Sequence, residues 1–224
     1  AVVVSIVHVI RSAEAESYVL DGREAPFITA YLLHAGINGD PCRLTANASK
    51  SFIGCFLLGM GFTFDDTGSN AAASPLAEMQ RLIDANPRNA ERIFPYIGGE
   101  EILNSPNQAH HRYVIDFGEM SEQEARQGWP DLMRIVEERV KPERMAQNDR
   151  QGKQKWWQFL RTRPEMRAAI RGLPRTLVIS QTGNALAFAF KDTETIFGHT
   201  LVVLPFSTYS AFGVLQSRIH FFWA

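Results

Sequence analysis

Gln181, Thr182 and Asn184 stand together beside Gly183, between the apolar runs Thr176-Leu-Val-Ile-Ser180 and Ala185-Leu-Ala-Phe-Ala-Phe190. Amide and hydroxyl groups carry adjacent donors and acceptors, and their chemistry is hydrogen bonding to the edges of bases, provided a rigid element presents them. A hairpin would do so: the flanking runs read as strands, and Gly183 and Asn184 tolerate the positive φ that a tight turn demands. A plain exposed turn is the competing reading of the same residues. A second group lies between Arg139 and Arg175, where eleven Lys and Arg meet three acids, against ten and nineteen in residues 1–138. The formal net charge of −1 therefore hides strong segregation. Within that basic stretch Arg150, Lys153, Lys155, Arg161 and Arg163 flank Trp156 and Trp157, and Arg175 closes it. Cations interleaved with aromatics grip a polyanion, phosphate by phosphate, without reading sequence. The rival is the solvated face of a basic amphipathic helix. For the two tryptophans core packing is favoured over base stacking, because neighbours on a helix point about 100° apart.

Residues able to do bond-breaking chemistry are sparse. Asp65, Asp66, His110 and His111 form no nucleophile and base constellation, and adjacent histidines on a loop are poor metal ligands. Backbone or DNA hydrogen bonding suits His110 better. Cys42 and Cys55, the only cysteines, have no second Cys or His at ligand spacing, so neither a disulfide framework nor a zinc site is implied, and a cytoplasmic chain is expected. Gly59-Met-Gly61 lacks the further Gly, the Lys-Ser/Thr pair and the following helix of a phosphate loop.

The elements that must position these groups read as a mixed α/β (α+β) chain of twisted mixed or antiparallel sheets flanked by helices. Ala1 to Ile10 is a β-branched run of the kind buried on both faces of a sheet, too short to cross a bilayer and without the features of a signal peptide. Asp21-Gly22 marks a turn between Tyr18-Val-Leu20 and Ala25-Pro-Phe-Ile28. Glycines among the large apolar residues of 51–64 suit bent strands. A helix is expected from Ser74 as cap and Pro75 as first residue through Asp84, with Asn86-Pro87 ending it. A short helix over 89–93, the strand Tyr113-Val-Ile-Asp-Phe117, a helix from Ser121 and another from Trp129-Pro130 follow. Beyond Pro142 a single long helix is expected over 143–162, then the hairpin, the strand Leu201-Val-Val-Leu204 and a core helix over 207–220.

Seven motifs in order carry a resemblance: Tyr96-Ile-Gly-Gly-Glu-Glu101, Asn104-Ser-Pro-Asn-Gln108, Arg112-Tyr-Val-Ile-Asp-Phe-Gly118, Met120-Ser-Glu-Gln-Glu-Ala125, Trp129-Pro-Asp-Leu132, Val140-Lys-Pro-Glu-Arg144 and Trp156-Trp-Gln-Phe159. Together they resemble the target recognition region of MmeI-like type IIL restriction-modification enzymes and related adenine-specific DNA methyltransferases of phage defence. The resemblance implies that residues 1–47 are the end of a methyltransferase domain and a connector. Residues 48–224 would then be a DNA target recognition domain, helical over about 121–173 and strand-rich over about 51–64, 94–118 and 175–205. It implies double-stranded DNA and the methyltransferase domain of the same parent chain as partners, and no membrane. The DNA-contact set it suggests comprises Arg150, Lys153, Lys155, Arg161, Arg163 and Arg175 for phosphates, Gln181, Thr182 and Asn184 for bases, and Asn104, Asn107 and His110 on the polar loop. The chain lacks the Asn/Asp-Pro-Pro-aromatic tetrapeptide and Gly-rich turn of an amino-methyltransferase and the carboxylate cluster of a nuclease. An excised, catalytically silent fragment is therefore expected, without a cofactor of its own, S-adenosylmethionine belonging to the parent. A protein-interaction or regulatory module of the same methylase is the alternative.

Overall fold

The computed structural model describes residues 18–29, 31–36, 39, 45–68, 71–183 and 185–223, with the backbone alone for Trp223. The expected strand Ala1 to Ile10, Cys42 and Asn184 lie outside the described residues. Contacts divide the chain into Ala1–Ala46 and Asn47–Ala224. In the first unit β1 (Tyr18–Leu20) and β2 (Arg23–Ala25) pair antiparallel around Asp21-Gly22, both at positive φ as the turn requires. The second strand ends at Ala25, ahead of the expected Ile28, since Pro26 offers no amide to a ladder.

In the second unit, strands β3 (Phe52–Ile53), β4 (Thr63–Phe64), β5 (Ile93–Ile97), β6 (Arg112–Ile115), β7 (Thr176–Ser180), β8 (Phe188–Lys191), β9 (Ile196–Phe197) and β10 (Leu201–Leu204) form two four-stranded sheets. One has the antiparallel order β3-β10-β7-β8. The other, β4-β6-β5-β9, is mixed, because β5 and β9 run parallel with Tyr96 opposite Ile196. Its helices are α1 (Leu76–Ala85), α2 (Gly99–Asn104), α3 (Glu122–Gly128), α4 (Pro130–Arg139), α5 (Lys141–Ala146), α6 (Arg150–Gln154), α7 (Pro164–Ile170), α8 (Tyr209–Leu215) and α9 (Arg218–Trp223). One core joins both sheets to the helices: Ile97, Val114 and Phe197 from the mixed sheet, Val178, Leu201 and Val203 from the other, and Leu132, Met133, Val136 and Val140 from α4 and its end. The sheets are stitched where the Gly54 amide bonds the Leu201 carbonyl at 3.0 Å and the Cys55 amide bonds the Phe197 carbonyl at 2.7 Å. A Cβ on Gly54 would land on the carbonyl oxygen of Gly198, so that crossing requires glycine.

The α3 start is a capping box of Ser121 and Glu124, and Pro130 opens α4, as the sequence leads one to expect. Other expectations are corrected; the helix over 89–93 is a 3-10 turn over Pro87–Arg92 that runs into β5 at Ile93. Ser74 does not cap α1: it is buried in a bridge to Phe64, Pro75 is the N-cap, and Asp66 Oδ1 accepts the Leu76 amide at 2.9 Å. The helix over 143–162 breaks into α5 and α6, because Asp149 takes the Gly152 amide at 2.5 Å and starts a new helix. The strand expected from Ala185 begins only at Phe188, so that residues 181–183 and 185–187 belong to no strand, because the Gln216 side chain claims both the Phe188 amide and the Leu186 carbonyl. The core helix over 207–220 is two short helices; Thr208 caps the first, and Val214, Ile219 and Phe222 are exposed. α2, unforeseen, is started by Gly98 with Glu101 accepting its amide at 2.8 Å.

Candidate nucleic-acid interface

The 181–187 loop is held at its base by the turn between β9 and β10. The Gln181 amide bonds the Thr200 carbonyl at 2.8 Å, and its side-chain Nε2 donates to the His199 carbonyl at 2.5 Å. Thr200 Oγ1 in turn accepts the Gly99 amide at 2.8 Å, which binds the start of α2 to the same turn. Farther out, Gly183 sits at φ 153 against Leu103, where a Cβ would come within 2.8 Å of Leu103 Cδ1. The exposed Gln181 and Thr182 therefore stand next to the exposed Asn104 at the end of α2. The following loop is turned on itself, with Asn107 Oδ1 accepting from the Ala109 amide and Ser105 Oγ. Lys191 at the far end of β8 pins it by donating to the Gln108 carbonyl. His110 lies edge-on to Tyr113, its Nε2 3.2 Å from the phenol oxygen.

From the turn a chain of contacts leads to the basic segment. The His199 ring rests on Phe56, centroids 4.5 Å apart, and Phe56 exchanges both backbone hydrogen bonds with Arg161, at 3.0 and 3.1 Å. Arg161 Nη1 donates to Gln151 Oε1 at 2.6 Å, reaching α6, which carries Arg150 and Lys153 with Lys155 at its end. Gln181, His199, Arg161, Arg150 and Lys155 are all exposed, and the contacts above link the polar loop to the element that carries the cations.

Other basic residues are used within the fold. Arg144 is buried in the core and donates to the carbonyls of Leu57, Leu58 and Lys155; burial pulls its guanidinium down to about 10. Arg167 pairs with the buried Asp116 at 2.6 Å and reaches Cys55 Sγ at 3.4 Å; burial, the largest single influence, pulls its pKa down, but the charges and hydrogen bonds of Asp116 and Cys55 together outweigh it and leave it above the ordinary value. Burial likewise pushes the Cys55 thiol up. Arg163 Nε donates to the Gly54 carbonyl at 3.2 Å, and Arg175 bonds the Ser207 carbonyl while lying 3.9 Å from the Phe190 ring and 4.3 Å from that of Tyr209. Trp156 is buried under Lys141 at 4.6 Å, and Trp157 donates to the Met120 carbonyl at 2.9 Å.

The carboxylates that an independent enzyme would need are likewise occupied. Asp65 Oδ1 takes the Thr67 amide at 2.8 Å and Asp66 caps α1, while Glu101 receives Arg112 and lies 3.7 Å from His111. Among the described residues no group of three or more His, Cys, Asp or Glu gathers as a metal site, and no helix is long and apolar enough to cross a membrane.

A sequence model described as "MmeI, target recognition domain" matches residues 49–224. The chain belongs to the MmeI target recognition domain family. A solved structure of the type IIL restriction-modification enzyme MmeI in complex with DNA is similar in fold, with a TM-score of 0.61 at 18% identity over 88% of this chain. The match covers 25% of that MmeI chain. No curated protein matches in sequence. Of the residues behind the resemblance, Tyr96, Glu101, Trp129, Arg144, Trp156 and Phe159 are buried, so the motifs mark the MmeI-type fold more than its exposed residues. Sequence reasoning passes over the Gly198-His199-Thr200 turn; its one signal is a Gly-His pair between two apolar strands.

Proposed function

We propose that residues 49–224 read the sequence of double-stranded DNA as the specificity domain of a restriction-modification type adenine methyltransferase. The observation that carries this reading is the chain of contacts from Gln181 through His199, Phe56 and Arg161 to α6, on a domain of the MmeI family. Gln181 and Thr182, with Asn184 beyond them in the chain, meet base edges. Arg161, Arg150, Lys153 and Lys155 meet phosphates, with Arg163 and Arg175 using their remaining N–H groups at the margins. Asn104, Asn107 and His110 extend the contact along β8. Each phosphate neutralised adds about −0.9 to the logarithmic salt slope of binding, so the cations set affinity and the loop sets sequence. Catalysis, and the S-adenosylmethionine it consumes, belong to other domains of the parent chain. The exposed apolar side chains of α8 and α9 favour their seating against its methyltransferase domain.

Selection of the chain on a pool of randomised duplexes at two salt concentrations, followed by sequencing of the retained DNA, tests this. An enriched motif that disappears on changing Gln181, Thr182 and Asn184 together is the expected result. Salt-sensitive retention without enrichment would reduce the domain to a phosphate clamp, and absence of retention would favour a protein-interaction or regulatory module.

A further inference from the structure

The turn between β9 and β10 does more than support the loop. We infer that His199 is itself a base-reading residue, forming with Gln181 a composite reading edge drawn from two segments of the chain. The inference rests on the DNA-recognition reading above and assigns it a specificity residue. Three observations converge on His199. Its backbone is fixed: the Leu201 amide closes the turn on the Gly198 carbonyl at 2.9 Å, and Gly198 packs against Tyr96 so closely that a Cβ would strike the phenol oxygen. Its ring is exposed yet braced by Phe56 at 4.5 Å, so little side-chain freedom remains to be lost on binding. Finally, its own carbonyl accepts from the Gln181 side-chain amide at 2.5 Å, so the Gln181 side chain is seated on the His199 backbone. An imidazole presents one N–H donor and one acceptor, and a base edge in the major groove offers matching groups. Contacts run from Gln181 through His199 and Phe56 to Arg161, so a duplex whose phosphates rest on α6 and Arg161 and whose bases reach Gln181 meets His199 on the way.

The test uses the full chain and the same randomised duplexes, with His199→Ala, His199→Gln and wild type measured in parallel for enriched motif, salt slope and melting temperature. His199→Ala leaves the Thr200 and His199 carbonyls that hold the Gln181 backbone and side-chain amides in place. It is expected to lower preference at one base-pair position about tenfold while the other positions, the salt slope and the melting temperature stay as in wild type. His199→Gln, which keeps a hydrogen-bonding edge, is expected to retain or re-aim the preference at that position. An unchanged motif in His199→Ala overturns the inference while leaving the domain's function standing. So does a salt slope smaller by about one with the motif intact, the mark of a phosphate contact. Loss of the whole motif with a lowered melting temperature in both variants would make His199 structural and overturn it as well. A wild type that enriches no motif removes both the inference and the reading beneath it.

Discussion

Arg144 and Arg150 lie six residues apart in one basic segment and have opposite fates. The first is sealed in the core with three backbone carbonyls around its guanidinium, and the second stands exposed on α6. Arg167 and Arg161 repeat the contrast, one paired to a buried Asp116 and the other exposed. Charge counted along a sequence is thus not charge presented to a partner. Part of the cationic excess ties short, irregular pieces of backbone that have no regular ladder of their own: Arg144 satisfies the carbonyls of Leu57 and Leu58 ahead of the Met60–Phe62 turn, and Arg167 the Thr162 carbonyl ahead of α7.

This contrast can be broken in order of effect. Arg144→Ala should cost the most, about 4 kcal/mol of unfolding free energy by urea titration, because buried carbonyls lose their donors and a cavity replaces the side chain. Arg167→Ala should cost about 3 kcal/mol, since Asp116 is left buried and unpaired, and Arg167→Lys should recover only part of it because one ammonium cannot serve Asp116, Thr162 and Cys55 together. Tyr96 probes the same interior by pH. Burial pushes its phenol up to about 12 from 10.0, so folding keeps a proton that the unfolded chain releases. Its contribution is complete below pH 10 and is lost as pH rises to about 12. The stability difference between wild type and Tyr96→Phe should therefore shift by about 2 kcal/mol across that window, measured by denaturant titration at each pH. Smallest of all, the combined variant Arg150→Gln, Lys153→Gln, Lys155→Gln should change stability by no more than about 0.5 kcal/mol while the salt slope of DNA binding falls by about 2 to 3. A loss of stability as large as that of Arg167→Ala would erase the distinction between the two sets of cations.

What the sequence revealed follows the same division. Helices with their own signals, the capping box at Ser121 and the Pro130 start, were legible because those signals are local. Most strands were legible, although β9 was not; their pairing was not legible either, since Phe52 meets Val203 and Tyr96 meets Ile196 far along the chain. The break between α5 and α6 and the wide loop at 181–187 were missed because distant or unexpected side chains decide them, Asp149 in one case and Gln216 in the other. At the candidate site Gln181 and Thr182 could be picked out by residue type. Their neighbour His199 could not, because only the closed turn and the Phe56 ring give it a place beside them.

The β3–β10 pairing also sets a schedule. β3 is made about 150 residues before the strand it borders, and at a synthesis rate of about 5–20 residues per second it waits roughly 8 to 30 seconds for its partner. During that interval neither the Gly54–Leu201 stitch nor the His199–Phe56 contact can exist. The nascent domain therefore makes these contacts only once β10 has been synthesised, after the basic segment that precedes it.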